Sequence, residues 1–586
     1  MKKLLLILSI AICGIANAQA PQWGWSKTPA GNEGVSTCTD ANGNIYVTGN
    51  YSNNMAYCAS TYSLTLFGPS GTQTDVFVAK HDSKGNVLWA KCGGGAKIDL
   101  SYGISVDANG NVYVTGNFES NTVLFGSITL TNSTTSGNTD MFIVKYDSNG
   151  NMKWAKKAGG VNDDSGSGVG TDANGNVYIS GMINNNALIK YDSLGNVNWT
   201  AVPTVSANGI SVNPDGNIYI TGIYSPGYYI AKYDTSGNMK WFKSPSGGEG
   251  YSVSTDTSSN VYVSGIFGGT AIMGNDTLVS AGSWDDFIAK FDTAGNISWA
   301  KRIGGTNTEY INSSPFPPIQ IVVDPTGNGN SYVLGRSLSD TIIVDNDTLL
   351  KGPHGNLIFV IKYNSSGIID WYINPPDANG RSNGINVDAN QNVYLTGWLN
   401  YPLSYYSSAI LNTGGGYLVK LCNMATPVPV VTQVGNVLTS TPANIYQWYW
   451  LNPSFYNSPV IINGETSQSF TVVNTSLAYV VTVKDTASGC DATSAPAIVT
   501  PINVNENEIS NLFSIFPNPA SGTFSIQSSE KISSLEIINV LGEKVFTSTI
   551  NHQTSAIDLS SQPNGIYFIQ IKTEEGTVNK KIVISH

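Results

Sequence analysis

One short phrase recurs seven times, and it constrains the fold more than any other feature of the chain. It reads DANGNIYVTG (40–49), DANGNVYVTG (107–116), DANGNVYISG (172–181), NPDGNIYITG (213–222), DTSSNVYVSG (256–265), DPTGNGNSYVLG (324–335) and DANQNVYLTG (388–397). Each copy joins an Asn- and Gly-rich turn to an alternating run of β-branched and aromatic residues, the pattern of a hairpin strand. A further strand follows each copy, from DVFVAKH (75–81) to GYLVKLC (416–422). In six of the seven units a second Gly-bearing turn, Gly-Asn in five of them, then leads to a strand carrying Trp89, Trp154, Trp199, Trp241, Trp299 or Trp371. Four short strands per unit, a to d, repeated at about 40–70 residues, describe the blades of a β-propeller.

The count also explains the start of the chain. The seventh unit stops at Cys422 without its Trp strand, while a spare copy of that strand, PQWGWSK (21–27) with Trp25, lies at the other end. The expected fold over 19–423 is therefore a seven-bladed propeller whose N-terminal strand zips beside Gly416–Cys422, since a closed ring hides sheet edges. The paired phrases DxxGNVYVTG and DSxGNxxWAK resemble the bacterial propeller repeats called SBBP repeats over roughly 22–422.

Residues 1–18 read as a secretory signal: Lys2 and Lys3, an apolar run from Leu4 to Ile15, and Ala16-Asn17-Ala18 before the cut. The rival, a lipoprotein signal acylated at Cys13, wants a small residue where Ile12 stands. No other apolar run approaches the roughly 20 residues that span a bilayer. The net charge of −11 with only 12% charged residues excludes the basic footprint of a nucleic-acid binder. Cys38, Cys58, Cys92, Cys422 and Cys490 form an odd, scattered set whose spacing assigns no pairing.

The turn phrase looks like the opening of a calcium loop, with Asp107, Asn109 and Asn111 alternating, but the closing bidentate acid is missing and a strand starts at once. The expected role is a hairpin turn capped by Asp, with structural Ca2+ as the alternative and no other cofactor or metal.

In a propeller the b–c and d–a connections emerge at one end. The b–c segments of units 1, 2, 5 and 6 are long and β-rich, predicting an extra hairpin on each, whereas units 3 and 4 have only MINNNA (182–187) and IYSPG (223–227). The d–a segments carry Glu33, Asp99, Asp164, Glu249, Glu309 and Asp377, with Tyr102, Tyr251 and Tyr310 close to three of them. Acids beside aromatic faces suit a sugar or a cation at the channel mouth, and a solvated loop rim is the plainer alternative. The mature chain has His81, His354, His552 and His586 and no nucleophile elbow, HExxH or phosphate loop. His81 aligns with Tyr146, Tyr191 and Tyr233, a structural slot. No catalytic residue is assigned.

Past Asn423 the composition shifts. TPVPVV (426–431) reads as a stiff linker, and the alternating runs up to SAPAIVTP predict a β-sandwich over 424–502 with Trp448 or Trp450 in its core. YQWYWLN followed by AYVVTVKDTASGC resembles bacterial Ig-like modules, without their cysteine pair. After a polar linker (503–511), residues 512–586 resemble the type A C-terminal sorting domain of the type IX secretion system, through Pro517, Asn518, Pro519, Gly542, Lys544, Gly565, Tyr567 and Lys581. The resemblance implies a small β-sandwich read by the outer-membrane translocon of a Gram-negative bacterium, often removed on export, with release or attachment to surface lipopolysaccharide.

These readings describe a secreted or cell-surface, non-enzymatic propeller that binds a glycan, a protein or a matrix component. The alternatives are a polysaccharide-active hydrolase or lyase using the rim carboxylates, and a structural surface-layer component.

Overall fold

Among the described residues, seven antiparallel sheets built on four strands each, two of them extended to six, follow one another along residues 22–422 of the computed structural model. It describes residues 21–586 apart from 28–32, 58–61, 69–72, 184–185, 202–206, 226, 308, 310–317, 346, 352–356, 374–379, 400–414, 424–428, 435, 453–454, 475–476, 485–489, 495–496, 499–512, 530, 541, 550–553 and 574–576. The leader, the lipoprotein cysteine Cys13, Cys58, Tyr310, His354, Asp377, His552 and the 503–511 linker lie outside the described residues. Every regular element among the described residues is a β-strand, and no helix there is long and apolar enough to cross a membrane.

The chain is a β-propeller. Its inner strands, Glu33–Thr39, Asp99–Val106, Ser165–Thr171, Gly209–Val212, Glu249–Thr255, Ile319–Val323 and Gly380–Val387, pack in sequence order, and the last returns to the first. At that seam Asn383 Nδ2 donates to Gly34 O at 3.0 Å and to Glu33 Oε1 at 2.9 Å. The N-terminal strand Gln22–Lys27 completes the last sheet, with Trp23 opposite Leu421 and Lys27 opposite Leu418. Trp25 is buried and contacts Tyr394 at 6.3 Å between ring centroids.

Each recurring residue type has a mechanical role. In the a–b turns the Asp carboxylate is fully engaged by the turn itself: Asp107 Oδ1 accepts from the Asn109 and Asn111 amides, and its Oδ2 accepts from Asn111 Nδ2 and the Tyr113 hydroxyl, all at 2.8–2.9 Å. Asp40, Asp172 and Asp388 repeat this arrangement. The Trp of each outer strand hooks the next sheet. Trp25 Nε1 donates to Ser83 O, Trp89 to Ser148 O, Trp154 to Ser193 O, Trp199 to Thr235 O, Trp241 to Thr293 O and Trp299 to Ser365 O, at 3.0–3.3 Å. Lysines of the third strands, such as Lys145, donate to the same carbonyls while lying over a tyrosine ring. The glycine of each hooked turn is required twice over: Gly150 has φ +78°, and a Cβ there would fall 2.8 Å from the indole of Trp89. Trp371 faces the one sheet that has no c–d turn, and Lys362 pairs instead with Asp370 at 3.3 Å.

Residues 431–498 form two further sheets. One contains Val431–Val434, Val437–Ser440 and Ser469–Thr471; the other is built on Ile445–Asn452 and Ala478–Lys484. Leu438 and Phe470 of the first meet Trp448, Tyr479 and Val481 of the second in one core. Trp448 is wholly buried and Trp450 packs at its margin. Cys490, which stands alone within this segment, is bonded to Cys422 of the propeller, so two cysteines 68 residues apart tie the segments together. Gly24 of the closing strand lies against that bridge, where a Cβ would sit 2.6 Å from Cys422 Sγ. Cys38 and Cys92 are free.

Thr500–His586 is a separate compact unit. A three-stranded sheet (Phe513–Phe516, Thr523–Ser528, Thr554–Asp558) and a four-stranded one (Lys544–Ser548, Ser534–Asn539, Gly565–Lys572, Thr577–Ile584) enclose a core with Phe524, Ile537, Tyr567 and Ile582. Asn518, between the exposed Pro517 and Pro519, bonds the last strand through Lys581 O and Val583 N, both at 2.9 Å. Gly542 takes φ +83° in a tight turn, the exposed Lys544 pairs with Glu536 at 3.1 Å, and Tyr567 is anchored to Pro563 O at 2.7 Å. Gly565 opens the strand that carries Tyr567, and Lys581 is exposed opposite Phe568.

Candidate functional site

The end of the ring opposite the turns carries the b–c and d–a connections. Hairpins rise there from units 1, 2, 5 and 6: Met55–Ala56 with Ser63–Leu64, Thr122–Phe125 with Ile128–Thr131, Thr270–Met273 with Asp276–Val279, and Thr341–Val344 with Asp347–Leu350. The second and fourth of these lean back to pair with the outer strand of the preceding sheet, Val123 opposite Gly95 and Val344 opposite Ile303. Those two sheets thereby grow to six strands. Units 3 and 4 have no described hairpin, which leaves the low side expected from their short connections.

Most of the rim acids serve these loops. Asp99 is buried and accepts from Ser120 N at 3.2 Å and Ser120 Oγ at 2.9 Å. Glu309 repeats the device four units later, accepting from Ser339 Oγ at 2.7 Å, Ser337 Oγ at 2.9 Å and Gly305 N at 3.1 Å. Burial pushes both carboxyls up to about 7, against the hydrogen bonds that favour the anion. Asp164 is buried and holds Gly160 N at 2.7 Å. At the starts of third strands Asp75, Asp140 and Asp285 brace the b–c segments in the same way, Asp285 also pairing with Arg302 at 2.7 Å. Beside them Asp286 is wholly buried; desolvation first, then Glu309 and Asp285, raises its carboxyl well above the ordinary range. His81 is also buried, next to the Tyr57 hydroxyl at 3.2 Å, and burial pulls it down to about 4.

Glu33 accepts from Asn383 and lies 3.8 Å from Arg381, and Glu249 accepts from the Tyr251 hydroxyl at 2.6 Å.

The inner strands line a cavity of about 390 Å3. Its upper lining comes from a backbone irregularity. In five inner strands the register slips by one residue, so a β-bulge carries Val35, Tyr102, Ser167, Tyr251 and Asn383. Asn208 takes the corresponding place beside Gly209 in a sixth strand, whereas Gln320 belongs to a strand that pairs without a slip and stands opposite Leu334, the place Ser36 holds opposite Thr48; all seven line the cavity. A bulge re-aims a side chain that regular pairing would direct elsewhere. The closing glycine of the recurring phrase permits it, since a Cβ on Gly116 would lie 1.9 Å from Leu100 O and one on Gly265 would lie 2.0 Å from Glu249 O. Of the expected site residues, Tyr102 and Tyr251 line the cavity; Glu33, Asp99, Asp164, Glu249 and Glu309 are not among its lining residues. Val35, Ser167, Asn208, Gln320 and Asn383 are the members that sequence reasoning missed.

Comparison with known proteins bears on both ends of the chain. Residues 514–585 match the family of secretion system C-terminal sorting domains, and residues 153–188 match the β-propeller repeat family. An uncharacterized WD repeat-containing protein of Acanthamoeba polyphaga mimivirus is 24% identical over 455 residues, which are 64% of this chain and 31% of that protein. The chain thus spans less than a third of that relative's length. Among solved structures, the RRP9 WD40 repeats give a TM-score of 0.41 at 8% identity over 69% of this chain and 99% of that one. PorZ of Porphyromonas gingivalis, described as a surface component of the type IX secretion system, gives 0.22 at 12% identity over 94% of this chain and 81% of that one. The sorting domain directs export to the cell surface or the medium and implies interaction with the type IX secretion machinery.

Proposed function

We propose that this exported propeller is a non-enzymatic binding protein whose hairpin-bearing end meets a glycan, a protein or a matrix component outside the cell. The seven four-stranded sheets are read as seven blades of one closed ring, and residues 424–502 as an Ig-like spacer braced to it by Cys422–Cys490. One observation supports the reading: the added hairpins and the largest differences in loop length among the described residues belong to the b–c connections, at one end of the sheets. Binding residues are drawn from such variable loops on a rigid scaffold. The proposed contact set places Glu33, Tyr102, Glu249 and Tyr251 at the mouth, with Asp99, Asp164 and Glu309 supporting it from behind; Tyr310 and Asp377, expected at the rim from the sequence, lie outside the described residues.

The test is a panel of immobilised glycans and matrix proteins probed with the intact secreted protein. Saturable binding without new reducing ends supports the proposal. Turnover of a polysaccharide that disappears in Glu249→Gln supports the hydrolase or lyase reading. Self-association that depends on the hairpins, with no bound panel member, supports a surface-layer component. Deleting 512–586 is expected to leave the protein in the periplasm; normal levels in the medium would refute the route.

A further inference from the structure

The ring of inner-strand residues that lines the cavity has a chemistry distinct from that of the rim hairpins. Its upper layer joins the phenol rings of Tyr102 and Tyr251 to the amides of Asn208, Gln320 and Asn383. Two residues further along the same strands, Ile104, Val169, Ile210 and Val253 form an aliphatic lower layer of the same cavity. Asp, Glu, Lys, Arg and His are absent from the described lining.

The amides are oriented from behind. Asn208 Nδ2 donates to Gly250 O at 2.9 Å, Asn383 Nδ2 donates to Gly34 O, and Gln320 Nε2 donates to Asn383 O. Their NH2 groups are thus directed into the seams between sheets.

Two ligand classes fit poorly. A charged ligand would lose hydration with no counter-charge in the lining. A wholly apolar one would take the amide carbonyls and serine hydroxyls of the lining out of water and offer them no hydrogen bond in return. A neutral pyranose suits both layers, because it has hydroxyls around its edge and an apolar C–H face that packs on aromatic rings. The cavity is at the small end of ligand sites, which run from roughly 300 to 1,000 Å3, and so accommodates one or two sugar rings.

Resting on the surface-binding reading above, we infer that the channel mouth holds one or two uncharged pyranose residues at the end of a glycan, gripped between Tyr102, Tyr251 and the three amides.

The probes are maltose, lactose, cellobiose and chitobiose, with glucuronic acid as the charged comparison, titrated calorimetrically into the intact protein. At least one neutral disaccharide is expected to bind saturably and more tightly than glucuronic acid. Ser167→Trp, which fills the cavity, should abolish binding, and Tyr102→Ala or Tyr251→Ala should weaken it about tenfold. Tyr251→Phe, which keeps the ring, should retain most of it. Melting temperatures identify any variant that fails to fold, and the two tyrosine variants serve if Ser167→Trp does not. Undiminished affinity in the plugged or tyrosine variants, or preference for the uronic acid, overturns the inference. If no probe binds while a matrix protein on the panel does, the channel assignment falls and the surface-binding reading stands. If nothing on either panel binds, both fall.

Discussion

The two ends of the propeller are built from the same strands and obey opposite rules. At the turn end, one arrangement is copied round the ring: an Asp engaged by its own turn, and a Trp donating to the carbonyl of the next turn. At the rim end the same strands carry bulges, hairpins of different size and buried carboxyls. The repeat therefore does its structural work at one end, where six c–d turns each fit a neighbour's indole. The other end is free to differ because hydrogen bonds between inner strands already close the ring.

The contrast can be broken most severely at the seam. Removing residues 21–27 exposes the edge of Gly415–Cys422 and empties the site of Trp25. A loss of about 3–5 kcal/mol is expected for Trp25→Ala alone, with more for the deletion. An unchanged melting temperature in both would mean the clasp does not hold the ring. Next in size is the bridge beside it. Cys490→Ser should cost up to about 4 kcal/mol by the loop-closure argument for 68 residues, read as a lower denaturant midpoint. Equal midpoints with and without reductant would count against it.

Titration separates the two ends directly. At the turns, backbone and side-chain bonds from Asn196 hold Asp192 below its ordinary value, whereas burial lifts Asp99 and Glu309 to about 7. An unfolded chain releases these two protons near pH 4, while the folded one keeps them until about pH 7. Their contribution to stability is therefore fully present below about pH 4 and is lost as pH rises through 7. The effect for Asp99 is on the order of 4 kcal/mol, so Asp99→Asn should flatten the pH dependence of the denaturant midpoint over that window. An identical slope in the variant would show that Asp99 titrates normally.

The smallest expected effect is at the hooks. Trp89 donates to Ser148 O, but Trp371 faces a sheet without that turn. Trp89→Phe should cost about 1 kcal/mol more than Trp371→Phe. Equal losses would reduce the hook to simple packing.

Much of this was legible because it is local. A Gly-Asn turn followed by IYVTG forms a hairpin wherever it stands, and the missing seventh Trp strand implied that the start of the chain returns to Cys422. The four extra hairpins were also readable from length and β-branching. The function of the acids was not. Asp99 and Glu309 stand where a ligand site would want them in the sequence, yet each is turned onto serines of an adjoining loop. Their residue type and position could not reveal which way the side chain faces.

The recurring phrase by itself determined the strands, their order and the return of the first strand to the last sheet, because turn chemistry and alternation act over a few residues. Only the tertiary structure decided what faces the channel. That depends on a one-residue slip in register, allowed where a glycine lets a neighbouring backbone approach, and such a slip redirects a side chain without changing any letter of the pattern.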